Sequence, residues 1–392
     1  MRRRVRGDVL PTWTVVVLLV ASVGVLVYQG LAILYAYQMP TLAPAAASLG
    51  ASSRVSVIIA ARNEVDDLAG TLDTLRVQDY SNLEVVVVDG GSTDGTQGVI
   101  DARAPRVRRI DEPPLPDRWV GKNWACWAGA KATQGDWLLF LDADVRLHPA
   151  AVRTVVAWAE SEQADLATIS PRVEMKGFWE RLVIPFWTQM VLTYFRAPRV
   201  NRPDSSAAMA NGQFLMIRRT VYEQIGGHEA VRSYVLEDVE LARRVRAAGL
   251  KLRIAHAVDL AVTRMYRDPD EMFEGLLKNV HGTEFSAGRL VGFWFGLVGL
   301  FLLPLALLPL GLWAQSWPLI GMGAFLWVAL FGKHVGFARA LGAPAVYGLL
   351  YPAAVVYYLR LVSVSLARGL RGRPVNWKGR TYPLLEPSGP NR

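Results

Sequence analysis

Cysteine is almost absent: Cys126 is the one cysteine in 392 residues, so no internal disulfide can form. No Cys/His cluster suggests structural zinc either. Charge is scarce, at 20% of residues against 52% hydrophobic, which excludes a disordered chain. Glycine follows no three-residue period, so the chain is not collagen-like. No internal repeat is visible. Residues 9–53, 290–332 and 340–359 contain no Asp, Glu, Lys or Arg at all. A bilayer-crossing helix needs about 20 apolar residues. The first and third stretches can each supply one such helix, and the second can supply two.

What charge exists is uneven. Lys plus Arg outnumber Asp plus Glu by 43 to 34, for a formal +9. The N-terminal flank (Arg2, Arg3, Arg4, Arg6, Asp8) and the stretch from Arg368 onward hold nearly all of that excess. Nucleic acid binding would need a basic stripe on the folded domain, so it is not expected. Basic ends suit anionic headgroups instead. Leu10–Met39 is too long for a cleaved signal and reads as a retained anchor. The expected organisation is a basic flank, anchor helix and linker at 1–53, a soluble domain at 54–289, apolar helices at 290–367 and a basic tail at 368–392.

Within the soluble part, Val55–Ala60 is a short apolar run with β-branched residues and predicts a buried strand. Asp66–Val77 has helical spacing through Leu68, Leu72 and Leu75. Glu84–Val88 predicts a second buried strand, and Trp137–Leu141 a third. The order β-α-β-α-β predicts an α/β domain with a mostly parallel sheet. Ligands in such sheets bind at the carboxyl ends of strands. Four polar constellations lie there or beyond. Ala61-Arg62-Asn63-Glu64 follows the first strand, and its Asn suits a capped turn. Asp89-Gly90-Gly91-Ser92-Thr93-Asp94-Gly95 follows the second. Its glycines permit close approach to a ligand, while capping by Ser92 or Thr93 explains the polar residues equally well. Asp142-Ala143-Asp144 follows the third, and two carboxylates flanking a small residue can hold a hard divalent cation or form a solvated turn. Leu236-Glu237-Asp238 heads a helix running to Ala248. Acids there suit the macrodipole, or one of them serves as a general base.

Taken in order, the four resemble the family-2 glycosyltransferases of GT-A fold, the nucleotide-diphospho-sugar transferase fold, over about 55–250. The resemblance implies inverting transfer from a nucleotide sugar, with a UDP-sugar as the first expectation. It implies that Ala61, Glu64 and Asp89 hold the nucleoside, and that Asp142 and Asp144 hold Mg²⁺ or Mn²⁺ and the donor phosphates. Asp238 would be the catalytic base, with Glu237 supporting it or binding sugar. Further strings extend the likeness over most of the chain: Pro113–Asn123, Asn211-Gly212-Gln213-Phe214, Ile225–His228, Thr263–Tyr266, Gly275–Asn279 and Trp377-Lys378-Gly379-Arg380. These look like the membrane glycosyltransferases of carotenoid and hopanoid pathways, the diaponeurosporenoate type. Lys122, Arg264 and, with less support, Lys278 are candidates for diphosphate contacts. Gln213, Trp377, Lys378 and Arg380 are candidates on the acceptor or supporting side. His228 and His256 read first as structural. No Gln-x-x-Arg-Trp string occurs, so single transfer is expected over polymer extrusion.

A lipid acceptor is expected from the apolar helices and from Phe178–Phe195, which is either a buried helix of the domain or an interfacial helix lining an acceptor path. The N-terminal arginines alone would place the soluble domain outside. Cytoplasmic nucleotide sugars require it inside, and the expectation is a multi-pass plasma-membrane protein with its domain facing the cytoplasm. The C-terminal candidates are three (about 291–312, 316–332 and 344–367). One is expected to be re-entrant or interfacial, with Pro318 and Pro352 as breaks. The tail at 377–380 is expected to fold back onto the catalytic domain. Competing readings are transfer to polyprenyl phosphate and an inactive scaffold that kept the fold.

Overall fold

The structure, a computed structural model, describes residues 10–44, 53–282, 287–372, 375–377 and 380–382. Its contacts gather into two units. One comprises Gln38–Glu174, Tyr194–Glu284 and Arg373–Arg392, and the other Met1–Tyr37, Met175–Thr193 and Phe285–Gly372.

The first unit is built on strands β1 (Val55–Ala61), β2 (Leu83–Asp89), β3 (Val107–Asp111), β4 (Trp137–Leu141), β5 (Val145–Leu147), β6 (Leu166–Ser170), β7 (Arg172–Val173), β8 (Phe214–Arg218), β9 (Leu252–His256) and β10 (Ala261–Thr263). Seven of them form one sheet in the order β3-β2-β1-β4-β8-β6-β9. β8 runs antiparallel to both neighbours, and the other pairings are parallel. The predicted mostly parallel sheet is therefore present. Its central strands are buried on both faces, as continuous apolar runs such as Val-Ser-Val-Ile-Ile require. The helix Val65–Arg76 buries Leu68, Leu72 and Leu75, the three leucines whose spacing predicts it. The helix Gly121–Lys131 lies on β1 and β2. Its Gly129 permits that approach, since a Cβ there would sit 2.4 Å from Ile58 Cγ2. β5, β10 and β7 form a second small sheet beside the end of β4. The backbones of β11 (Val375–Trp377) and β12 (Arg380–Tyr382) form an antiparallel pair, with β11 against the helix Pro269–Gly282.

The second unit is helical. Thr12–Leu34, Ala287–Ala314, Trp317–Ala340 and Tyr351–Leu370 are long and apolar enough to cross a membrane. Leu303–Ala314 and Trp317–Ala340 pack tightly through glycines: a Cβ on Gly311 would lie 2.7 Å from Ile320 N, and one on Gly323 2.5 Å from Leu308 N. Small residues serve apolar helices this way because packing drives their association. Pro318 and Pro352 do not break spans. Each sits in the first turn of its helix, where a missing N–H costs nothing. The interruption instead is a π-helical turn at Val298–Leu302. Phe178–Tyr194, read in sequence as part of 54–289, makes its ring contacts among the apolar helices. Phe178 meets Tyr347, Trp179 meets Tyr357, and Phe186 meets Phe301 and Tyr358.

Candidate active site

The chain order 3-2-1-4 across the sheet puts the ends of β1, β2 and β4 side by side at a switch point. In register, Ala61 pairs with Asp89. Asp89 is 1% exposed, and its carboxylate accepts Ser92 N at 3.2 Å and Gln97 Nε2 at 2.7 Å. Ser92 and Thr93 do not cap the next helix. That helix starts at Thr96 behind Gly95, whose φ of 100° suits glycine. Ser92 Oγ instead accepts Asn63 N at 2.9 Å, and Asn63 Oδ1 accepts Thr93 N at 2.9 Å. The two loops are thus stitched together, and Glu64 is tied in by its N–H to Thr96 Oγ1 at 2.8 Å.

One cation joins the end of β4 to the head of the helix Glu237–Ala247. Lys122 Nζ lies 2.8 Å from Asp142 Oδ1 and 2.9 Å from Glu237 Oε1. Beside it, Asp238 Oδ2 accepts Gly212 N at 2.7 Å. Gly212 sits close against them: a Cβ there would lie 3.1 Å from Asp238 Oδ2 and 3.3 Å from Lys122 Nζ, and would press on both side chains. A cavity is lined by Lys122, Asp142, Gly212, His228, Glu237 and Asp238, among others. Asp144 points to the small sheet, where Thr263 Oγ1 donates to its Oδ2 at 2.8 Å, and Arg264 is the next residue. Gln213 contributes through its backbone: its carbonyl accepts Asp142 N at 3.2 Å, while its side chain bonds Asn211.

The electrostatics follow from this crowding. Burial, then repulsion by Asp142, pushes the Asp144 carboxyl up to about 7. Burial, then Glu237, pushes Asp238 up to about 6, with Lys122 opposing. Desolvation works against the Lys122 ammonium, but Asp142 and Glu237 together hold it well above its usual range. Lys278, on the helix Pro269–Gly282, is lowered by burial and by Lys122. His228 is a structural histidine: its Nδ1 pairs with Tyr222 Oη at 3.0 Å, and burial pushes it down to about 3.

Residues 56–226 match the family described as Glycosyl transferase family 2. This stretch is a glycosyltransferase domain. The 4,4'-diaponeurosporenoate glycosyltransferase of Staphylococcus haemolyticus (strain JCSC1435) is 26% identical over 229 residues, covering 58% of this chain and 60% of that protein. Its namesake from Staphylococcus aureus (strain Newman) is 24% identical over 342 residues, covering 84% and 88%. The mannosyltransferase PcManGT from Pyrobaculum calidifontis, solved with GDP-Man and Mn²⁺, superposes with a TM-score of 0.53 at 18% identity, over 90% of this chain and 97% of that one. The fold is GT-A-like, as the motif order implies.

Two parts of the glycosyltransferase domain's site escape the sequence reading. Asn123 Nδ2 donates to the carbonyls of Val231 and Tyr234, each at 2.9 Å, and of Arg232 at 3.2 Å. It thereby fixes the loop that delivers Glu237 and Asp238. Thr263 orients Asp144. The strings Gly121-Lys122-Asn123 and Thr263-Arg264 contain both residues, but only the charged members signal a role on inspection. Trp377 and Arg380 lie in β11 and β12, and Lys378 is outside the described residues.

Proposed function

We propose that the chain transfers one sugar, with inversion, from a nucleotide-sugar donor to a membrane lipid of the terpenoid or carotenoid class. The observation that carries this reading is the Lys122 bridge between Asp142 and Glu237. It sets Asp142, Glu237 and Asp238 around one cavity. The relatives' names, which state a carotenoid-type acid, and the four long apolar helices support a lipid acceptor. The domain then works at the cytoplasmic face of the plasma membrane, where nucleotide sugars are available.

In this reading the acceptor oxygen forms its bond to the anomeric carbon as the bond to the diphosphate breaks. Asp238 takes the acceptor proton. Lys122, Arg264 and Lys278 face the charge that grows on the departing diphosphate. Asp142 and Asp144 fit a divalent cation, because Asp144 is raised by burial and then by the charge of Asp142, and a cation would offset both. Among the described residues no group of three metal-ligating side chains occurs. This suits Mg²⁺ or Mn²⁺, which can be bound by two carboxylates plus substrate phosphates. When bound, the cation would neutralise the donor diphosphate. The test is mass spectrometry of lipids from a host expressing the wild type or Asp238→Asn. A sugar-bearing lipid present with the first and absent with the second is expected. A phosphate-linked product would instead assign the acceptor to polyprenyl phosphate, and no product from either would remove the transferase reading.

A further inference from the structure

A second polar cluster lies in the helical unit and uses none of the candidate-site residues. Lys333 sits within the apolar helix Trp317–Ala340, seven residues before its end. Its ammonium donates to Gln29 Oε1, and Gln29 Nε2 donates to Leu300 O at 3.1 Å. Among the described residues no carboxylate pairs with it. Its other contact is the Phe301 ring, 5.4 Å below. His334, the next residue, is buried in an aromatic box. Tyr351 lies flat on it at 4.0 Å, with Phe301 and Phe186 at 6.1 and 6.3 Å. Its Nδ1 is 2.8 Å from Leu330 O, a pure acceptor, so Nδ1 carries the hydrogen. A neutral ring with that tautomer leaves Nε2 as a bare acceptor, and Nε2 has no partner. One helical turn beyond Phe186, the buried amide of Gln189 lacks a partner at both ends.

Isolated polar groups in apolar packing are costly, and an ammonium among membrane-type helices is ordinarily functional. Here one charge and one uncommitted acceptor nitrogen gather around the Phe301 ring, and Gln189 stands one turn from Phe186, which packs on that ring. Together they offer an ammonium, an amide donor and a bare nitrogen acceptor. We propose that this cluster binds the acidic head of a lipid, an apolar chain ending in a carboxylic acid or a phosphate monoester. Lys333 takes the ionised oxygen and Gln189 donates to the head. A singly ionised phosphate keeps an O–H that donates to His334 Nε2, whereas an ionised carboxylate has none and meets only the ammonium and the amide. A neutral alcohol satisfies the acceptor nitrogen and leaves the ammonium uncompensated, so the site selects acids over alcohols. Lys333 is half-exposed, which gives the head a way in. The proposal goes beyond the transferase reading and stands without it.

The test uses the full-length protein in detergent and native mass spectrometry with three probes of one chain length: geranylgeranoic acid, geranylgeranyl phosphate and geranylgeraniol. The acid, the phosphate or both should bind at least about tenfold more tightly than the alcohol, the scale of one charge-assisted hydrogen bond. Lys333→Met should erase that preference and leave alcohol binding unchanged. Lys333→Gln, which can keep a hydrogen bond to Gln29, should do the same if the Met variant fails to fold. Gln189→Leu should weaken binding of the acidic probes, and His334→Phe should weaken binding of the phosphate. A preference for the acid over the phosphate assigns a carboxylate, and the reverse assigns a phosphate. Equal binding of all three probes, or a preference that survives both Lys333 variants, overturns the proposal. Asp238→Asn should leave these affinities unchanged, which separates failure here from failure of the transferase reading.

Discussion

Asp238 stands between a repelling neighbour and an attracting one, and its chemistry follows from that balance. Burial, then Glu237, lifts it and Lys122 lowers it, so its carboxyl is pushed up to about 6. Asp238→Asn keeps the hydrogen bond from Gly212 but removes basicity. It should cut kcat by about 10²-fold or more with donor KM nearly unchanged. If Glu237→Gln is the inactive variant instead, the base is the other carboxylate. In the wild type kcat/KM should fall as pH drops through about 6, and that limb should be missing from the residual activity of Asp238→Asn. The same shift acts on stability with a definite sign. Between the ordinary Asp range and about 6 the folded chain keeps a proton that the unfolded chain releases. This group therefore lowers stability as pH rises across that window, and the effect is complete above it. Urea titrations at pH 4.5 and 7 should show a smaller difference for Asp238→Asn than for wild type. At this scale the carboxylates and Lys122 were legible because charge at a strand end or helix head is conspicuous. Asn123 was not, since a buried amide serving three carbonyls looks like any helix asparagine until the loop at 231–234 is in place. Asn123→Ala should cost about 1–3 kcal/mol by leaving buried carbonyls unpaired, read from a denaturant midpoint, and should lower kcat through the displaced helix head.

Among elements, strands were easier to foresee than caps. β1, β2 and β4 announce themselves as apolar, β-branched runs, and their ends locate the site. β3, with the pattern Val-Arg-Arg-Ile-Asp, carries no such run and gains its place by pairing with β2. Ser92 and Thr93 misled because a helix cap and a loop-to-loop tie use the same hydroxyls and amides. The Asp142–Asp144 turn makes a metal prediction at this scale. Asp144→Ala should abolish turnover and leave the circular dichroism spectrum unchanged, and full activity in excess EDTA would refute the cation. The β11–β12 pair makes another. It rests on the helix that carries Lys278, so truncation after Gly372 should lower turnover while membrane insertion is unaffected. Normal kinetics in the truncated protein would leave the tail only an anchoring role.

For the molecule as a whole, the two-unit division constrains how the chain meets a bilayer. The polypeptide departs the sheet-bearing unit at Glu174 and is back in it at Tyr194. It departs again at Glu284 and rejoins through β11. A path that starts and finishes on one bank of a river has used its bridges an even number of times. For the second excursion, which holds three helices long and apolar enough to cross, an even number is zero or two. Cys126 is the chain's sole thiol and is buried, so single cysteines placed at the turns around 315 and 343 report sidedness without interference. If two bridges are used, at least one of those turns should react with an impermeant maleimide from the bank opposite the catalytic unit, and if none is used neither should.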